Sequence, residues 1–396
     1  MYQSNDSVIS RLSFQRRPNS NYQRQFERQI ESMGHPKDQL IFVGTYTNLG
    51  AKGIYTCHMD GATGRLTELS VATDSGPNPS FVTLHPNGKF LYSVAEVNDF
   101  EGDDAGGVHA YAIGENGKLS LINKESTKGT GPCHLVVEAN GKYLFVANYA
   151  GGSVAMFEIN NDGSLNEACD FHQHVGGSMI QADRQNEPHA HSVTMAPSNN
   201  QLIVCDLGLD KVLVYDIDHD AGKIVLNEDA SADSRPGEGP RHFAFHPDGT
   251  AAFAINEIGL TISAYDVDAN NGKLTETHWV GTVRPDVVYA DGNSTADIHV
   301  SPDGRHVYGS NRGHDTLVIY GWDPYARMLY YIANESTRGN TPRNFAIDPT
   351  GTWVLAENQD SGTIHTFKRD ADSGELAHTG HMISIPGPVC IQMMDA

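Results

Sequence analysis

The stretch Gly237–Glu257, GEGPRHFAFHPDGTAAFAINE, decides how the rest of the chain is read. Its centre, Pro247-Asp248-Gly249, is turn chemistry: proline presets φ, the aspartate side chain bonds nearby amides, and glycine accepts a left-handed backbone. Apolar runs flank the turn, Phe243–Phe245 before it and Thr250–Ile255 after it. The segment is therefore a β-hairpin. Antiparallel pairing about the turn brings Arg241 beside Asn256 and Glu257 at the far end, with His242 adjacent. A guanidinium, a carboxylate and an imidazole at one hairpin end read as part of an active site.

The hairpin recurs along the chain. Its turn reappears as HPNG (85–88), EANG (138–141), APSN (196–199), SPDG (301–304) and DPTG (348–351). After each turn comes a second apolar strand (FLYSVA, YLFVAN, QLIVCD, AAFAIN, HVYGSN, WVLAEN) and then a third, such as GVHAYAI or KVLVYDI. A second turn and a short fourth strand close the unit, as at 115–119, 161–165, 270–274 and 372–376. Six units are complete. The seventh is split: its outer strands come first (40–47, 53–59 and from 64), and its inner strand comes last (386–392). This pattern predicts an all-β chain, a seven-bladed β-propeller of four-stranded antiparallel blades. A C-terminal strand joining the N-terminal blade closes the ring and leaves no open sheet edge. The propeller domain spans 40–396, at about 51 residues per blade.

Residues 1–39 read differently. They are rich in Arg, Ser, Asn and Gln, lack apolar periodicity, and form a flexible or peripherally docked N-terminal arm. The net charge of −22 argues against nucleic acid as a partner. No apolar run approaches the roughly 20 residues of a membrane span, so no membrane partner is expected. Five widely spaced cysteines with no CxxC pair suit reduced thiols and a cytoplasmic protein. No dinucleotide fingerprint or haem motif is present, and no cofactor is expected.

In a propeller the start of strand one and the end of strand two open on the same face. Counting six residues back from each turn gives Ser80, Cys133, His191, Arg241, Ala296 and Arg343. Counting eight forward gives Glu96, Tyr149, Leu207, Glu257, Arg312 and Gln359, preceded by Ala95, Asn148, Asp206, Asn256, Asn311 and Asn358. One mouth thus collects arginines, glutamates, a histidine and several amides. In so acidic a chain, focused guanidinium groups mark an anion site. The pair His189 and His191 is spaced to share a strand face, yet no third ligand follows at metal spacing, so no metal is expected. A neutral imidazole that activates water is the better use of His191. The long connections 171–187, 229–239 and 281–294 enter at this mouth and would wall it.

Four motifs carry a family resemblance: RQNEPHAHS (184–192), GPRHF (239–243), SNRGH (310–314) and TPRNF (341–345), with GTYT at 44–47. In this order they resemble the seven-bladed propeller lactonases over about residues 40–393. The resemblance implies hydrolysis of a sugar lactone, foremost 6-phosphogluconolactone to 6-phosphogluconate in the pentose phosphate pathway. It implies a site of His191, Arg241, Glu257 and Arg312. His189, His242, Asn311, Arg343 and Glu96 are expected to bind substrate. Either His191 or Glu257 would be the base, and Glu257 could instead orient Arg241. The expected partner is a small anionic lactone, and the expected state is a monomer or weak homodimer. A lactonizing cycloisomerase and a non-catalytic binding propeller are the alternatives.

Overall fold

A computed structural model describes residues 36–284 and 292–396. Around Pro247-Asp248-Gly249 the turn forms as its residues dictate. Asp248 Oδ1 accepts from Thr250 N at 2.8 Å and from Thr250 Oγ1 at 2.9 Å, and Gly249 takes φ 72°. Strands Pro240–Phe245 and Ala251–Asn256 then pair antiparallel, and Thr261–Val267 and Leu274–Gly281 extend the sheet outward.

The same sheet repeats around the ring. Blades two to seven occupy 82–126, 132–173, 190–233, 240–281, 294–336 and 342–384. Blade one is the split one: Pro388–Asp395 lies innermost and pairs with Gln39–Thr45, followed by Ile54–Met59 and Leu66–Ala72. The chain is thus a seven-bladed β-propeller closed by its last strand. Residues 1–35 of the expected arm lie outside the described residues. Gln39 already opens the first strand, so the propeller takes in the end of that segment.

Blade four departs from four strands. Its edge is two short pieces, Lys223–Leu226 and Ala232–Asp233, both paired with Lys211–Asp218. Between them Asn227 Oδ1 accepts from Ala230 N, and Ser231 Oγ donates to Asn227 O. These local side-chain bonds make a turn where the other blades continue a strand.

Among the described residues, seven apolar clusters hold the ring, one between each adjacent pair of blades. Strand alternation produces them. In blade five, Ala252 and Ala254 pack toward blade four, while Phe253 and Ile255 pack toward blade six. Phe253 is fully buried, and truncating it to alanine should cost about 3–5 kcal/mol. On the face opposite the candidate site, the turn histidines His85 and His246 each bond the turn glycine of the next blade, Gly141 O and Gly304 O, at 2.9 Å. Gly304 is required twice over: its φ is 68°, and a Cβ would lie 2.5 Å from His246 Nε2. His172 sits in strand Leu165–Gln173 rather than in the loop expected from the sequence. His174 is buried and structural, bonded to Asp206 (2.6 Å) and Tyr215 (2.9 Å).

Candidate active site

Five of the six strand-one residues counted from the turns, all but Ala296, line one cavity at a mouth of the ring; of the second column Glu96 lines it, and Glu257 and Arg312 adjoin it through Arg241. That cavity is lined by Ser80, Glu96, Cys133, His191, Arg241, His242 and Arg343, with Tyr46, Phe81 and Val389. A repeated backbone device aims these side chains. In blades three, four, five and seven the pairing of strands one and two slips at the column residue: at Cys133, His191, Arg241 and Arg343. Each slip is a β-bulge that leaves that residue out of the ladder and re-aims it. Because alternation is broken, Arg241 and the next residue, His242, both line the cavity.

Glu257 is the electrostatic centre. Its Oε1 accepts from Arg184 Nη2 at 2.5 Å, and its Oε2 accepts from Arg241 Nε at 2.8 Å and Arg312 Nη2 at 3.0 Å. Burial would raise this carboxyl, but Arg312, Arg241 and Arg184 outweigh it and hold it far below the usual carboxylate range. Arg241 is 1% exposed. Burial, then repulsion from Arg343 and Arg312, lowers it to about 9. Arg241 also donates from Nη1 to Ala296 O at 2.6 Å, and Arg312 from Nη2 to Thr295 O at 2.6 Å.

His191 is buried, with Nδ1 3.8 Å from Cys133 Sγ and its ring edge-on to Tyr149 and His242. Burial first, then Arg241, His242 and Arg343, keep its imidazole well below 6.5. It is therefore neutral at neutral pH. Glu96 accepts from Tyr46 Oη at 3.0 and 2.9 Å and from Ser80 Oγ. Arg343 lies over the Tyr46 ring at 5.5 Å. Burial would lower it, but Tyr46, Glu96 and Glu257 keep it above its ordinary value. Among the described residues its guanidinium donates no hydrogen bond to protein.

Two expected substrate contacts lie elsewhere. Asn311 Nδ2 turns to Thr282 O and Thr316 Oγ1, both at 3.3 Å. Asn148 and Asn256 similarly spend their amides on residues of strand three, so this asparagine column braces blades. His189 stacks on Tyr149 at 4.5 Å and bonds Tyr149 O at 3.0 Å, and neither residue lines the cavity. Leu207 is buried, and Gln359 bonds Asp360.

Three participants were missed. Arg184 reaches Glu257 from the loop before blade four, and that loop is anchored by Gln185 Nε2 to Leu207 O and Asp210 Oδ1. Tyr46 was visible only as part of the GTYT motif. Asp297 follows the unremarkable Ala296 and holds His242 Nδ1 at 2.7 Å. The other walls are partly described: residues 285–291 of the connection before blade six lie outside the described residues. Among the described residues no group of three or more His, Cys, Asp or Glu side chains converges as a metal cage.

Comparison with known proteins covers nearly the whole ring. The family described as "Lactonase, 7-bladed beta-propeller" matches residues 40–393. A 6-phosphogluconolactonase of Bacillus subtilis is 34% identical over 354 residues, 89% of this chain and 97% of that one. The crystal structure of a putative 6-phosphogluconolactonase from Bacteroides fragilis superposes with a TM-score of 0.83 at 35% identity, covering 91% of this chain and 98% of its own. A periplasmic gluconolactonase of Pseudomonas aeruginosa gives a TM-score of 0.83 at 31% identity, covering 90% and 99%.

Proposed function

The chain belongs to the seven-bladed β-propeller lactonases, which are carboxylic ester hydrolases, and from that premise we propose that its substrate is a phosphorylated sugar lactone, 6-phosphogluconolactone. The observation that carries this reading is the charge balance of the mouth. Four guanidiniums, on Arg184, Arg241, Arg312 and Arg343, face two carboxyl groups, on Glu96 and Glu257. The excess of two matches a phosphate monoester, which carries about −1.5 to −2 at pH 7. Arg343, which donates no protein hydrogen bond among the described residues, is the natural fork for that phosphate.

His191 is the base in this reading, because its neutral ring has a lone pair to offer, whereas Glu257 is saturated by three guanidiniums. His191 takes a proton from water, and the oxygen attacks the lactone carbonyl. Arg241 and Arg312 stabilise the oxyanion of the tetrahedral intermediate. Collapse breaks the bond to the ring oxygen, which leaves as the alcohol by taking the proton back from His191. The product is a hydroxy acid, and nothing is oxidised or reduced. Glu257 orients the guanidiniums. The site of action proposed is the cytoplasm.

The periplasmic gluconolactonase relative favours a second reading, an unphosphorylated aldonolactone. The test is hydrolysis of freshly made 6-phosphogluconolactone beside gluconolactone and carboxymuconate, with spontaneous opening subtracted. The proposal expects kcat/KM for the phosphorylated lactone to exceed that for gluconolactone by on the order of a hundredfold, the worth of one well-formed ion pair. Equal rates on the two lactones would point to the second reading, and acceleration of neither would overturn both.

A further inference from the structure

The bulge at the start of blade six supplies two acceptors to blade five. Ala296 O takes Arg241 Nη1 at 2.6 Å, and the next residue, Asp297, takes His242 Nδ1 at 2.7 Å. Arg241 Nη1 also lies 3.1 Å from His242 Nε2. A guanidinium only donates, so Nε2 is the acceptor and the ring proton sits on Nδ1.

Asp297 is fixed on every side. It is 4% exposed. Its Oδ1 also accepts from Ile298 N at 2.9 Å, and its Oδ2 accepts from Asn344 Nδ2 at 2.5 Å and His299 Nε2 at 2.9 Å. Asn344 cannot turn, because its Oδ1 accepts from Ile391 N at 3.1 Å. Blades five, six and seven thus converge on one carboxylate, which reaches the cavity only through His242. Around His242 stand Asp297 from blade six, Arg241 from its own strand, Arg343 from blade seven, His134 from blade three and His191 from blade four.

We propose that Asp297 is a positioning residue for hydrolysis: through the Nδ1–H tautomer of His242 it holds Arg241 aimed at the cavity. The proposal rests on the reading of Arg241 as an oxyanion donor. With the opposite tautomer, an Nε2–H would oppose a guanidinium N–H at 3.1 Å, and two donors at that distance repel. Arg241 would then swing from its line between Glu257 and Ala296.

Histidine-selective nitrogen NMR of the wild-type protein should find His242 protonated on Nδ1. Asp297→Asn keeps the volume but offers an amide in place of one acceptor, and the ring proton should move to Nε2. The kcat should fall by on the order of tenfold to a hundredfold, with KM changed less than about threefold. His242→Gln breaks the relay. In that background Asp297→Asn should cost less than about twofold further, which a merely structural aspartate would not produce. A wild-type His242 protonated on Nε2, wild-type kcat in Asp297→Asn, or additive losses in the double variant would each overturn the proposal. The NMR arm needs no substrate, so failure of the lactone assignment is distinguishable from failure of this one.

Discussion

Glu257→Gln is the sharpest perturbation the structure offers. The change keeps the shape of the side chain and removes the negative charge that Arg184, Arg241 and Arg312 share. Removing one partner of a buried ion pair costs about 3–5 kcal/mol. A propeller of roughly 360 residues, at about 2.1 cal/mol/K per residue, has an unfolding entropy of about 0.75 kcal/mol/K, so the melting temperature should fall by about 5 °C. Scanning calorimetry with and without orthophosphate, at matched ionic strength, separates an anion site from an ordinary rim. The variant carries one more uncompensated positive charge, so phosphate should raise its Tm more than it raises that of the wild type. Hydrolysis should fall by a hundredfold or more, because the oxyanion donors lose their anchor. The acid limb of its pH profile should keep its position, since that limb belongs to His191. A Tm within about 1 °C of wild type, equal phosphate shifts, or loss of the acid limb would refute the reasoning, and the last would make Glu257 the base.

Arg343→Ala should lower stability modestly, because Tyr46, Glu96 and Glu257 outweigh the cost of burying that guanidinium, although it donates no protein hydrogen bond among the described residues. Steady-state kinetics should show KM for the phosphorylated lactone raised by on the order of a hundredfold and KM for an unphosphorylated one barely moved. His191→Asn should lower kcat by on the order of a hundredfold to ten-thousandfold and abolish the acid limb. His191 is depressed in the folded protein, so the wild-type rate should stay flat as pH falls through 6.5 and drop only at that lower folded value, as a pH–rate profile will show. Urea unfolding should give lower stability at pH 5 than at pH 7. His109, His242 and His306 are held near 4 when folded, and His134 and His191 lie well below 6.5. The unfolded chain therefore binds protons below 6.5 that the folded protein does not, at up to about 1.4 kcal/mol per pH unit for each group. His365 and His378 are lowered as well, whereas Glu357 and Glu125, raised above 4.5, and His299, raised above 6.5, act in the opposite sense, their stability lost as pH rises, so the lowered histidines outnumber the opposing groups among the described residues.

The ring is legible in the turns and their spacing. Pro, Asp, Asn and Gly at the turns act through local backbone conformation, and strand length is nearly constant between them, so seven blades and the closing strand follow from counting. The same counting brought Arg241 to Glu257, because pairing register about a fixed turn is a local property, and brought Arg312 to both, because equivalent positions of successive blades open on one face of the ring. How these residues and their neighbours are aimed at the cavity depends on three-dimensional packing. The bulges at Cys133, His191, Arg241 and Arg343 break the alternation on which face assignment rests, and so admit His242 where a regular strand would turn it away. Arg184 arrives from a connection without periodicity, and Asp297 acts across blades, so neither is visible to reasoning within one hairpin. Glu257 shows the division most clearly: its nearness to Arg241 and Arg312 was countable, but its full pairing depends also on Arg184, which reaches it from the loop before blade four. Coulomb interactions follow distances in space, which a linear sequence does not contain.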